Sequence, residues 1–214
     1  MLRIWAVTAA ATLAGAAVAL FTLVSALTKS QGITLFAYHP ALMYLSMALV
    51  GPAAVCAVQA RKATKAPGLR AGLILGHASM QLTAAACAAA GFYSIYINKE
   101  RYGRPHFTSR HSWLGLAALG AYSGAILYAS VRTTTNKHCS MVWKDVMHRT
   151  AGVLAVGLGA AAVTTGILHD HWTPPGMTHG TQVAIAATSG MGALTAALGY
   201  ALPASPAEPA AKRD

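Results

Sequence analysis

"FAYHPALMYL", residues 36–45, sets a histidine and a proline at the head of a stretch that is otherwise apolar. What surrounds that histidine decides the fold, and composition supplies the answer. Of the 214 residues, 55% are hydrophobic and only 10% are charged, against about 25% charged in an ordinary soluble domain. The charges gather in short clusters between long apolar runs, as a chain of membrane-crossing helices requires. Taking roughly 20 apolar residues per crossing, six spans are expected, at 4–27, 39–60, 71–97, 111–131, 145–168 and 181–202. The first is too long for the roughly 7 to 15 apolar residues of a secretory signal and reads as a permanent helix. Residues 1–202 therefore read as one all-α domain of six transmembrane helices, and the proline- and alanine-rich tail 203–214 as disordered. Proline suits the first turn of a helix, where its missing N–H has no partner, so Pro40 is expected to start the second span.

Six spans place both termini on one side. If that side is cytosolic it receives Arg3, Arg61, Lys62, Lys65, Arg70, Arg132, Lys137, Lys144, Arg149, Lys212 and Arg213, leaving Lys29, Lys99, Arg101, Arg104 and Arg110 outside. The positive-inside rule favours this orientation. The net charge of +11 reads as attraction to the anionic face of a lipid bilayer. No nucleic-acid partner is expected, because no basic face survives once the apolar spans are removed. Cys56, Cys87 and Cys139 form no C-x-x-C pair and read as small packing residues.

Nine histidines in so apolar a chain are the main anomaly, since ionisable groups at membrane depth are costly and mark function by default. His39, His77, His111 and His148 each lie near the N-terminal end of one of the four central spans. Successive spans run in opposite directions, so His39 and His111 fall near the outer face and His77 and His148 near the cytosolic face. Each pair comes from alternate helices, which are diagonal partners in an antiparallel four-helix bundle. Such pairs suit a haem, whose porphyrin supplies four equatorial nitrogens and leaves two axial positions to protein. His111 and His148 are followed four residues later by Gly115 and Gly152, and Gly76 adjoins His77; glycine there would leave room for a porphyrin edge. A metal transporter would be expected to carry carboxylates within its spans. Instead Glu100, Asp145, Asp170, Glu208 and Asp214 all lie at span ends, in loops or in the tail.

"FAYHPALMYLSMAL", "GHASMQL", "NKERYGRPHFTSRHSWLGLAAL" and "MHRTAGVL" resemble the cytochrome b561 family, and within it the small animal reductases that carry a cytochrome b561 domain. The likeness spans roughly residues 35–170, with "HSWLG" its most specific part. It implies a six-helix carrier whose helices 2 to 5 hold two haems b, His39 with His111 on the outer iron and His77 with His148 on the cytosolic iron. It further implies an ascorbate-dependent oxidoreductase, passing single electrons from cytosolic ascorbate to monodehydroascorbate or ferric iron chelates outside. A homodimer in an endomembrane (endoplasmic reticulum or vesicle) or in the plasma membrane is implied likewise.

The plant and chromaffin-type members place a lysine shortly before the third-helix histidine; here Leu75 and Gly76 precede His77, and the nearest cation is Arg70. Candidates for the cytosolic ascorbate are therefore Lys65, Arg70, Lys144 and Arg149. His106 matches a histidine that some members place near the outer substrate, so His106 and Arg110 are the candidates for the outer acceptor. His169, His171 and His179 lie in or beside a loop whose chemistry stays open between metal binding and an interfacial role. Two other functions remain alternatives: a haem-free multi-span transporter or scaffold, and a dihaem membrane subunit of a larger dehydrogenase. No nucleotide-binding fingerprint points to direct use of NADH or ATP.

Overall fold

The computed structural model describes residues 34–135, 145–169, 178–187 and 189–190, all of it helical or in the turns between helices. The first expected span, the tail and Lys144 lie outside the described residues, as does the end of the sixth span. The helices are α1 (Leu35–Tyr44), a π-helical segment (Leu45–Val50), α2 (Gly51–Ala63), α3 (Pro67–Arg101), α4 (Arg110–Thr135) and α5 (Val146–Ile167), followed by a helix beginning at residue 179. α1, the π segment and α2 run on as one rod, so four rods are long and apolar enough to cross a membrane: Leu35–Lys62, Pro67–Arg101, Arg110–Thr135 and Val146–Ile167.

Three of the four exceed the lengths expected from hydropathy, and their ends follow local chemistry. α3 has 35 residues, roughly 52 Å at about 1.5 Å per residue, so it projects beyond a hydrocarbon layer of about 30 Å. Its C-terminus closes by hydrogen bonds from Gly103 N to Glu100 O and from Arg104 N to Lys99 O, with Gly103 at φ 59°. That is the Schellman pattern, which glycine takes without steric cost. α5 begins where Asp145 caps it, its side chain accepting from Met147 N. α1 overturns one expectation. It starts at Leu35, so Pro40 lies inside the helix rather than in its first turn, and the helix tolerates the lost N–H of proline among apolar neighbours.

α3 returns along the α1–α2 rod and α5 returns along α4, giving two antiparallel hairpins that meet chiefly where the π segment touches α5 and α3 touches α4. Small residues fill the contacts: Ala54, Ala84, Ala88, Gly91, Ala118, Ala155 and Gly159 are buried, while Leu75, Leu82, Leu127 and Leu154 are exposed. This distribution inverts that of a soluble domain and suits lipid, where close backbone approach rather than the hydrophobic effect joins helices. At Gly91 an added Cβ would lie 3.2 Å from Leu42 Cβ and 3.4 Å from the His39 carbonyl.

Polar side chains tie the rods together. Ser46, wholly buried in the π segment, donates to the Ala84 carbonyl at 2.6 Å; the Tyr122 hydroxyl donates to the Gln81 carbonyl at 2.9 Å and also reaches its side chain; Tyr44 shares a 2.7 Å hydrogen bond with Ser189. Such bonds within a membrane contribute modestly, about 0.6 kcal/mol on average. Ser46→Ala is therefore expected to lower stability by about 0.5–1.5 kcal/mol, read as a lower thermal unfolding midpoint in detergent with helix content unchanged.

Candidate functional site

The four central histidines come together as two pairs. The rings of His39 and His111 lie with centroids 6.0 Å apart and planes at 76°, and those of His77 and His148 at 6.4 Å and 88°. The structure thus brings one histidine from each hairpin into each pair.

What aims three of the four rings is a backbone carbonyl of the facing helix in its own hairpin. His39 Nδ1 is 3.0 Å from Gly91 O, His77 Nδ1 is 2.9 Å from Ala54 O, and His111 Nδ1 is 2.9 Å from Ala162 O. His148 turns its buried Nδ1 toward the Ala125 carbonyl without closing a hydrogen bond of ordinary geometry. A carbonyl only accepts, so Nδ1 carries the proton and Nε2 keeps its lone pair for a metal. Ligating histidines are held in this manner by outer partners that fix tautomer and ring direction.

The acceptors obey a common spacing. Gly91 follows His77 by 14 residues, Ala125 follows His111 by 14, and Ala162 follows His148 by 14. Fourteen residues make nearly four turns and about 21 Å, so on each helix the histidine of one pair and the acceptor for the other share a face. On the first rod Ala54 follows His39 by 15 residues, and there the π segment intervenes. A π turn absorbs one extra residue, which restores the register. Gly51 makes that turn possible: its N–H bonds Ser46 O, and a Cβ would stand 3.0 Å from the same oxygen.

The pairs fit a haem. A metal bonded to one nitrogen of each ring at about 2 Å would hold the ring centres roughly 6 Å apart, which is the separation of both pairs. Among the described residues no group of three or more His, Cys, Asp or Glu converges on a metal position, so bare two-coordinate pairs remain, as a macrocycle with its own four nitrogens needs. A Cβ at Gly76, Gly115 or Gly152 would meet nothing within 4 Å, whereas at Gly166 it would stand 2.8 Å from His111 Cε1. Gly166 therefore gives the His111 ring its place, a role that no spacing in the sequence announces.

The substrate candidates divide between the two ends. Near His77 and His148, Lys65 and Arg70 line one open cleft with Pro67, Ala71 and Ile74, and Arg70 Nη1 donates to Thr64 O at 3.0 Å. Arg149, beside His148, lies close enough to Lys62 for their charges to bear on one another. At the same end the Asp145 carboxylate, which the sequence marks only as a span-end acid, accepts from the Tyr128 hydroxyl at 2.6 Å and lies 3.4 Å from Arg132 Nε. The tyrosine hydrogen bond foremost holds the Asp145 carboxyl below the usual carboxylate range, so it is ionised at neutral pH. Near His39 and His111, His106 stacks on Tyr96 with centroids 4.4 Å apart and bonds Glu100 Oε1 at 2.7 Å. Lys99 Nζ donates to Pro105 O at 2.9 Å. Arg110 stands exposed at the first position of α4.

Residues 38–174 match the model of the family described as eukaryotic cytochrome b561. The chain is similar to the human protein named transmembrane reductase CYB561D2, 28% identical over 150 residues that cover 69% of this chain and 67% of the relative. It is also similar to the mouse protein of that name, 27% identical over 155 residues with the same coverage of both chains. The crowding at Gly166 makes Gly166→Ala the sharpest test of the His39–His111 pair: it is expected to cost the protein about half of its haem per chain, an expectation built on two axial positions per haem, measured on material purified beside the wild type.

Proposed function

Because the chain belongs to the eukaryotic cytochrome b561 family, we propose that it is a dihaem member that takes one electron from ascorbate on the cytosolic side and delivers it across the bilayer to monodehydroascorbate or ferric iron. That it is a haem b membrane oxidoreductase follows from the family and from the name its relatives carry. The two histidine pairs are the single observation that supports two haems, His39 with His111 holding one and His77 with His148 the other. Each haem, when bound, supplies a one-electron ferric/ferrous couple whose potential depends on its ligands, burial and nearby charges.

The residues of the chain do the rest. Gly91, Ala54 and Ala162 lend carbonyls that hold the ring proton on Nδ1 and turn the imidazoles inward. The spacing of 14 residues along α3, α4 and α5 sets the pairs about 21 Å apart along the bundle, dividing an insulating layer of about 30 Å. The helices between them exclude water with alanine, glycine and apolar side chains. At one end Lys65, Arg70 and Arg149 offer cations to an anionic enediol, and Lys144, outside the described residues, belongs to the same proposal. At the other end His106, held by Glu100 and Tyr96, offers a ring nitrogen to the acceptor beside Arg110. The cation-rich end is placed in the cytosol by the positive-inside rule.

The ascorbate-minus-oxidised visible spectrum of the purified protein, with haem counted per chain, tests this function. Two haems per chain, partly reduced by ascorbate, are expected, with His39→Ala and His77→Ala each losing one. Arg70→Gln is expected to raise the KM for ascorbate roughly fivefold, the effect of one exposed charge contact of about 1 kcal/mol, at unchanged haem content. A colourless wild type at full expression would overturn the proposal in favour of a transporter or scaffold.

A further inference from the structure

Asp145 is tied into the structure on every side. Its Oδ1 accepts from Met147 N at 2.9 Å and so caps α5. Its Oδ2 receives the Tyr128 hydroxyl at 2.6 Å and faces Arg132 Nε at 3.4 Å, which joins the last turns of α4 to the first turn of α5. Its side chain is only 12% exposed. His148 is the third residue of the helix that it caps, and no other acidic residue among those described lies at this end of the bundle. Among the described residues the other carboxylate, Glu100, is at the far end, engaged with His106.

We propose that Asp145 is a positioning residue for electron transfer: it fixes the start of the helix that presents His148, and its negative charge, adjusted by Arg132, lowers the electron affinity of the iron held by His77 and His148. The inference rests on the dihaem assignment above. A reduced haem carries one more electron than an oxidised one, so a fixed anion nearby opposes reduction and a fixed cation favours it. Arg132, paired with the carboxylate, offsets part of that field. Asp145 therefore raises the energy of an electron at the His77–His148 position, against the opposing pull of Lys62, Lys65, Arg70 and Arg149 at the same end. Tyr128 holds the carboxylate in place by a bond that any rotation of Asp145 would break.

Opposite substitutions separate charge from mere structure. In Asp145→Ser the hydroxyl still caps the helix, but the charge is gone. In Arg132→Gln the carboxylate remains and loses its counter-ion. Redox titration of the full-length protein, resolved into its two haem components, is expected to show Asp145→Ser raising the reduced-to-oxidised ratio of the His77–His148 haem at a fixed potential. The rise should be roughly three- to tenfold, given one charge in a partly screened setting, and Arg132→Gln should lower the ratio. The other haem stays within measurement error in both. Shifts of the same sign in the two variants, or no shift in Asp145→Ser with two haems bound, would overturn the inference while leaving the dihaem assignment standing. A wild type without haem at the His77–His148 pair would overturn both.

Discussion

The contact on which the site depends is an imidazole N–H held by a main-chain carbonyl of the neighbouring helix. It is reciprocal in the first hairpin, where His39 reaches Gly91 on α3 while His77 on α3 reaches back to Ala54. His111 reaches Ala162 on α5 while His148 on α5 turns back toward Ala125. A helical carbonyl has a second lone pair beyond its intrahelical bond, so it orients a side chain without breaking the ladder. Each hairpin thus aims its own two histidines, and docking the hairpins creates both pairs at once. Damage to one helix reaches both pairs, since every rod supplies a histidine to one and a facing carbonyl to the other.

That scheme constrains the packing around it. Carbonyls serve side chains on a neighbouring helix only where the backbones lie close, which explains why alanine and glycine line the contacts and leucine faces outward. The same closeness makes Gly91 and Gly166 intolerant of a Cβ, one beside the His39 backbone and the other beside the His111 ring. The π segment follows from the constraint as well. An extra residue between His39 and Ala54 would rotate the acceptor off its face by about 100° in an unbroken α-helix. Its presence beside a buried serine bonded to α3 couples register to helix contact.

Much of this was legible without coordinates. Hydropathy located the four described rods, and antiparallel succession assigned the four histidines to two ends. The ends of the rods were less legible, because a hydropathy window sees the hydrocarbon layer and not the helix, and α3 continues into polar residues until a glycine cap stops it. Pro40 misled for a related reason: its preference for a first turn is a weak local one, and apolar residues on both sides extend the helix through it. The pairing of Asp145 was not legible because its partners, Tyr128 and Arg132, belong to a different helix.

By itself, then, the sequence determined the membrane class, the helical rods, the signs of charge between them and which side chains could ligate, all properties of single segments in a known solvent. Only the tertiary structure decided that the rings stand about 6 Å apart, that carbonyls 14 or 15 residues along each rod aim them, and that a carboxylate sits beside one pair. Those depend on the rotation and height of one helix against another. Backbone carbonyls, which every residue carries alike, set them here, and so no residue type records them.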